Sequence, residues 1–115
     1  LRVALDLYAN IRPARSREGM PHYGRTPMDL VIVRENTEGF YADRSMYLGI
    51  GEVMPTADVA LSIRKITAQA SERIARAGFE LARTRRRMVT AVHKSNVLKV
   101  TDGGIDSAKI PKYTG

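Results

Sequence analysis

The spacing of apolar residues changes several times along the chain, and each change marks an element. Val3, Leu5 and Leu7 alternate with Ala4, Asp6 and Tyr8, and Ile11 follows before Arg12-Pro13. Alternation is the period of a strand, and Pro13 biases Arg12 toward extended backbone. A strand running to about Arg12 is expected, with entry from a helix end left open. Ala14 to Pro27 collects Ser16, Gly19, Pro21, Gly24 and Pro27, the composition of a loop. Met28 to Val33 is nearly continuous in apolar and β-branched residues, which fits a strand buried on both faces as in an α/β sheet. It runs into Arg34-Glu35-Asn36-Thr37-Glu38-Gly39, a polar segment with a turn-forming glycine.

Phe40 to Pro55 holds Gly49, Gly51 and Pro55 among Tyr41, Met46, Tyr47 and Met54, and reads as a long functional loop or a protruding hairpin. Ala57 to Ile66 fits two periods: Val59, Ile63 and Ile66 suit a helix, whereas Val59, Leu61 and Ile63 suit a strand. Thr67 is a candidate cap for a helix starting at Ala68, in which Ala70, Ile74, Ala77 and Leu81 form one face. Arg83 to Arg87 then lies where the helix dipole favours cations. Met88 to Val92 reads as a second apolar strand, ending in His93-Lys94-Ser95-Asn96. This order predicts an α/β or α+β chain, with Met28–Val33 and Met88–Val92 in one sheet and the helix packed on it. Polar residues gather at the strand ends, where α/β proteins place ligand chemistry.

Composition narrows the choice. The 115 residues make about one small domain, and 43% hydrophobic with 27% charged residues fits a soluble globular chain. The absence of cysteine excludes a disulfide framework, a cysteine zinc site and thiol catalysis. Two histidines argue against a multi-histidine metal site and leave carboxylate sites open. No apolar run approaches the roughly 20 residues that span a bilayer, and Leu1-Arg2-Val3-Ala4-Leu5-Asp6 lacks the form of a signal peptide. The expectation is a cytoplasmic protein without a membrane partner.

The net charge of +7, from 19 basic and 12 acidic residues, raises nucleic acid or an anionic ligand as partner. The basic residues are dispersed, however. The one dense run is Arg83, Arg85, Arg86 and Arg87, and aromatics do not interleave with it as a stacking platform requires. The plain reading of Arg85-Arg86-Arg87 is a solvated helix end. Each of Arg2, Arg12 and Arg34 by itself reads as a surface arginine, and Lys94 as a solvated lysine at a strand end. As a set they say more. If Arg2, Arg12 and Arg34 converge, their planar forks suit a substrate with several carboxylates. A Tyr and a Lys beside such cations form an acid–base pair.

The segments Leu1-Arg2 and Leu5-Asp6-Leu7-Tyr8-Ala9-Asn10-Ile11-Arg12-Pro13 resemble the substrate-arginine segment of the isocitrate/3-isopropylmalate dehydrogenases, the metal-dependent β-decarboxylating dehydrogenases. The ten-residue step from Arg2 to Arg12 matches, as does Val33-Arg34-Glu35-Asn36-Thr37-Glu38-Gly39-Phe40-Tyr41 with its seven-residue step from Arg34 to Tyr41. Ser71-Glu72-Arg73-Ile74-Ala75-Arg76-Ala77 with Phe79-Glu80 resembles a helix of that family's second domain, and His93-Lys94-Ser95-Asn96-Val97-Leu98-Lys99 its lysine segment. The resemblance covers residues 1–103 of 115.

It implies an α/β fold fragment, mainly the second domain (dimerisation and substrate), with a piece of the first domain at its start and an atypical tail over 104–115. It implies that Arg2, Arg12 and Arg34 hold substrate carboxylates, and that Tyr41 protonates the enol(ate) left by carbon dioxide. Lys94 assists removal of the hydroxyl proton and reaches into the partner subunit's site, while Asn96 lies near the nicotinamide ribose. Asp43 to Met54 corresponds to the arm that meets the partner, and Val59 to Ile66 to a strand. The implied reaction is NAD- or NADP-dependent oxidative decarboxylation of a hydroxy-polycarboxylate of the isocitrate or 3-isopropylmalate type, with Mg²⁺ or Mn²⁺, in a homodimer or larger oligomer. The metal aspartates of the family have no counterpart here, since Asp102 and Asp106 do not match them, so these residues are expected to be inactive alone. The rival reading is a basic nucleic-acid-binding module. The placement of the notable arginines at strand ends, within enzyme-like motifs, argues for no nucleic-acid partner.

Overall fold

A computed structural model describes residues 1–21, 24, 26–41 and 46–106. The chain opens on a helical turn. Leu5 N–H donates to the Leu1 carbonyl (3.0 Å), Asp6 N–H to Val3 (3.1 Å) and Leu7 N–H to Arg2 (2.8 Å). Asp6 takes the left-handed conformation at φ 46°, the arrangement that closes a helix end. The alternation of Val3, Leu5 and Leu7 is thus not a strand. Local turn hydrogen bonds satisfy this backbone, and the strand is entered from a helix end.

Strand β1, Ala9–Arg15, follows and pairs antiparallel with β2, Asp29–Glu35, in a register that sets Asn10 opposite Arg34 and Arg12 opposite Ile32. β1 continues through Pro13, beyond the end expected at Arg12. Proline is tolerated because β1 is an edge strand and needs no second row of donors. In β2, Asp29, Val31, Val33 and Glu35 are half-buried while Leu30, Ile32 and Arg34 are exposed, Ile32 by 50%. The apolar run of β2 is therefore covered on one face and not on both.

The hairpin lies further along than Phe40–Pro55, because only its first strand begins within that segment and its second is drawn from Ala57–Ile66. β3, Glu52–Thr56, pairs antiparallel with β4, Val59–Ser62, and the strand alternative for the ambiguous segment is the one adopted. Helix α1, Ala68–Arg83, begins where Thr67 caps it, the threonine hydroxyl accepting from Ala70 N–H at 3.2 Å. Ala70 is buried, and Ile74, Ala77 and Leu81 are half-buried on the same face. α1 packs against β2.

Met88–Val92 forms no strand among the described residues. Apolar, β-branched sequence supplies propensity, but a strand also needs a neighbour with an open edge, and no ladder reaches this segment. Lys94 to Gly103 then winds through a turn into a π-helical turn, Lys99–Asp106. The first three residues of the 104–115 tail complete that turn, and residues 107–115 lie outside the described set.

The burial is polar. Among the described residues Ala70 is the buried apolar one, at 3% exposure, whereas Asn36, Thr37 and Asp102 are all buried, at 7%, 6% and 2%. Hydrogen bonds and ion pairs carry the joints between elements. At one joint, Asp29 at the start of β2 pairs with Arg15 (3.3 Å) and Arg85 (2.6 Å), and its carbonyl accepts from Arg86 (2.6 Å). The arginine run at the end of α1 is thus not simply solvated. Two of its members clamp the helix terminus to the sheet.

Candidate active site

Arg34, the penultimate residue of β2, lies on its exposed face directly across from Asn10, and Arg12 lies two residues along β1 on the same face. Arg12 Nε donates to Asn10 Oδ1 at 3.0 Å. Arg2 comes from the opening turn. Its Nη1 donates to Asn36 Oδ1 at 3.3 Å, and its guanidinium lies over the ring of Tyr41, 4.5 Å from the centroid. Hydrogen bonding from Arg2, then from Arg34, with the positive charge of both, holds the Tyr41 hydroxyl below the usual tyrosine pKa. Leu1, Arg2, Val3, Ala4, Asn36 and Tyr41 line an open cleft of about 310 Å³. Three of the expected residues, Arg2, Arg34 and Tyr41, therefore meet, and Arg12 shares the face of Arg34.

A polar frame holds them. Asn36 N–H donates to the Tyr8 carbonyl (2.9 Å) and its Nδ2 to the Leu7 carbonyl (3.0 Å), tying the opening turn to the end of β2. The Glu35 carboxylate accepts from Thr37 Oγ1 (2.6 Å), Thr37 N–H (3.0 Å) and Glu38 N–H (2.8 Å). Glu38 in turn accepts from Thr67 N–H (2.8 Å) and Thr67 Oγ1 (2.7 Å) at the start of α1. Gly39, at φ 74°, exchanges backbone hydrogen bonds with Lys65 at 2.8 and 3.0 Å, and its left-handed conformation is the turn expected of it. Tyr41 is two residues beyond this bridge.

Arg73 of α1 closes the frame. It donates to Thr37 Oγ1 (3.0 Å), pairs with Asp6 (2.7 Å) and lies over the ring of Tyr8 at 4.6 Å. Asn36, Glu35, Glu38 and Arg73 were not singled out from sequence. Their signal is a polar residue beside a strand end or a helix cap, and it becomes informative only when the cap partner is known.

Lys94 and Asn96 stand apart. Both are exposed, and among the described residues no hydrogen bond, ion pair or ring contact joins either side chain to the arginine–tyrosine cluster. The backbone of Lys94 is held by Asp102, whose Oδ2 accepts its N–H at 2.7 Å. Asp102 also pairs with Arg64. No group of three or more His, Cys, Asp or Glu side chains gathers among the described residues. No described helix is long and apolar enough to cross a membrane.

A pair of arginines on a tyrosine beside a strand end, mounted on a helix-backed ladder, presents planar forks of the kind that can take up carboxylates. The model of the isocitrate/isopropylmalate dehydrogenase family matches residues 1–109, and the chain belongs to that family. It is 46% identical over 104 residues to a 3-isopropylmalate dehydrogenase of Sulfurisphaera tokodaii, covering 90% of this chain and 28% of that protein. It is 48% identical over 106 residues to an isocitrate/homoisocitrate dehydrogenase of Thermus thermophilus, covering 90% and 28%. The crystal structure of isocitrate dehydrogenase from Methylococcus capsulatus superposes with a TM-score of 0.76 at 46% identity, over 92% of this chain and 30% of that one. The fold is thus an α/β fragment of the dehydrogenase fold, and the chain spans less than a third of the relatives it matches.

Proposed function

We propose that these residues form the carboxylate-binding and proton-donating part of an NAD- or NADP-dependent enzyme that oxidatively decarboxylates a 2-hydroxy acid of the isocitrate or 3-isopropylmalate type. The observation that carries this reading is the convergence of Arg2 and Arg34 on the Tyr41 hydroxyl. Two guanidinium groups provide fixed forks for carboxylates, and Arg12 extends the row for a further one. The same charges make the Tyr41 proton easier to release, which suits a general acid that protonates the enol(ate) formed once carbon dioxide departs. Lys94 assists removal of the substrate hydroxyl proton.

Bound dinucleotide supplies the hydride acceptor. Asn96 is exposed, with no hydrogen bond from its amide among the described residues, and so fits a donor to the ribose. The described residues do not gather three carboxylate, histidine or cysteine side chains that could hold a divalent metal.

The partner is a second copy of the chain. The arm Asp43–Met54, of which 43–45 lie outside the described residues, leads into the β3–β4 hairpin, whose Val53, Met54, Val59 and Leu61 are exposed. Lys94 then serves the neighbouring subunit's site, consistent with its separation from Tyr41.

The test is a chimera in which these residues replace the matching segment of the Sulfurisphaera tokodaii enzyme. Turnover with 3-isopropylmalate or isocitrate, abolished by Arg2→Ala with Arg34→Ala, is the expected result. Unchanged turnover in that double variant rejects the reading. The 115-residue chain alone is expected to show none, with Mg²⁺ and either dinucleotide supplied. A nucleic-acid module would instead give tight gel-shift binding with a steep salt slope. Arg85 and Arg86 of the dense basic run are engaged on Asp29.

A further inference from the structure

Asp102 has the largest fully buried side chain among the described residues, at 2% exposure. A carboxylate so enclosed must be fully partnered to remain charged. Its partners are specific. The guanidinium of Arg64 and Thr101 Oγ1 (3.3 Å) donate to Oδ1, and the backbone N–H of Lys94 donates to Oδ2 at 2.7 Å.

The backbone of Lys94 is pinned on both sides. Its carbonyl accepts from Val97 N–H (3.1 Å) and Leu98 N–H (2.8 Å), and the Leu98 carbonyl accepts from Asp102 N–H (3.0 Å) and Gly103 N–H (3.3 Å). A Cβ on Gly103 would stand 3.4 Å from Ser95 Cβ, so the far end of this turn packs directly behind the lysine segment. The backbone of Met88 to His93, by contrast, makes no hydrogen bond to another backbone group among the described residues, and its one tie to the lysine segment is the His93 Nδ1 that accepts from Ser95 N–H at 3.2 Å. The Lys94 backbone N–H is therefore held from its C-terminal side, by Asp102.

Arg64 gives Asp102 its own reference point. It lies two residues beyond β4 and next to Lys65, whose backbone exchanges two hydrogen bonds with Gly39, and Gly39 lies two residues before Tyr41. Contacts from Lys94 to Asp102 and Arg64, then the neighbouring Lys65 and its backbone bridge to Gly39, lead to the turn that precedes Tyr41.

We infer that Asp102, anchored by Arg64, is a positioning residue for Lys94, fixing the backbone from which its ammonium is presented. The inference rests on the reading of Lys94 as the residue that assists hydroxyl proton removal. The Asp102 carboxylate is enclosed, at 2% exposure, so it acts through Lys94 and not on a substrate directly.

In the chimeric enzyme, Asp102→Asn is expected to lower kcat by about 10–100-fold, the scale of a small misplacement of a reacting group, with the Michaelis constant for the hydroxy acid changed by less than about twofold. The decisive readout is the double variant. Because Asp102 acts through Lys94, Asp102→Asn in a Lys94→Met background is expected to add nothing, whereas a residue that only holds the fold would multiply the losses. Multiplying losses overturn the proposal. If Asp102→Asn fails to fold, Arg64→Lys keeps the charge, removes the fork, and is expected to lose kcat in the same direction and to add nothing to Lys94→Met. In the 115-residue chain, Asp102→Asn is expected to speed hydrogen exchange at the Lys94 amide. Unchanged exchange overturns this proposal alone, and undiminished turnover of Lys94→Met overturns the assignment of Lys94 and this proposal with it.

Discussion

The guanidinium of Arg2 lies 4.5 Å above the ring of Tyr41, and the buried amide of Asn36 fixes it there at 3.3 Å. With Arg34 it favours the phenolate of Tyr41 and holds its pKa below the usual tyrosine value. Arg2→Met and Arg34→Met are each expected to move that titration back up. The phenolate absorbance, compared with a Tyr41→Phe control, reads it. The sign for stability follows from linkage. This contribution is present above the ordinary tyrosine pKa of about 10, and is lost as pH falls through the lower folded value.

Tyr41→Phe keeps the ring under Arg2 and removes the proton. In the chimeric enzyme, the decarboxylation stage is expected to slow by about 10²–10⁴-fold with substrate binding retained, the range for a lost general acid. Arg34→Lys keeps the charge and loses the fork, so the expected effect is mainly a raised Michaelis constant. Steady-state kinetics on both variants distinguish the two roles.

Thr67 caps α1 and binds Glu38 with the same hydroxyl. Thr67→Ala is expected to cost about 1–2 kcal/mol, the upper part of the range for a lost cap, and to loosen the turn that leads to Tyr41. Denaturant unfolding measures the first effect, and hydrogen exchange at Gly39 the second.

Two carboxylates have pKa values below the ordinary range. Asp29 is lowered chiefly by its hydrogen bond to Arg85, with Arg15 adding charge. At Asp102 burial acts upward, and the Lys94 N–H, Arg64 and Thr101 outweigh it. Both contribute stability that is fully present above the ordinary carboxylate range and lost as pH falls through the folded values. Acid titration by circular dichroism is expected to show a steep loss below that range, and a shallower one in Asp29→Asn.

The β3–β4 hairpin exposes Val53, Met54, Val59 and Leu61. Concentration-dependent association is expected in light scattering, and Leu61→Asp is expected to suppress it. A chain that stays monomeric at every concentration would count against the dimer reading.

Much of the local structure was legible. The capped helix follows from Thr67 and the spacing of Ala70, Ile74, Ala77 and Leu81, because a cap and a helical stripe are properties of neighbouring residues. β2 follows from its apolar run, and the turn at Gly39 from the freedom of glycine at positive φ. The arginine and tyrosine motifs identified the family, since their order and spacing are themselves sequence properties.

What the chain could not show in one dimension was which residues meet. Val3, Leu5 and Leu7 alternate like a strand, yet the segment forms a turn, because the left-handed Asp6 and local hydrogen bonds satisfy its backbone first. Met88–Val92 has strand composition and no partner, and pairing is a relation between segments. The cost of burying a carboxylate is invisible until its surroundings exist, so Asp102, one aspartate among others in the sequence, becomes the enclosed acceptor of Arg64 and of the Lys94 N–H. Arg85 and Arg86 likewise turn from a basic run into a clamp only because folding brings Asp29 within reach. Sequence by itself determined the local elements and the family of this chain. Tertiary structure decided which charges are neutralised, which polar groups are buried, and that Arg2, Arg34 and Tyr41 share one place. Those outcomes depend on distances between residues far apart in the chain, which hydrophobic period and motif spacing do not encode.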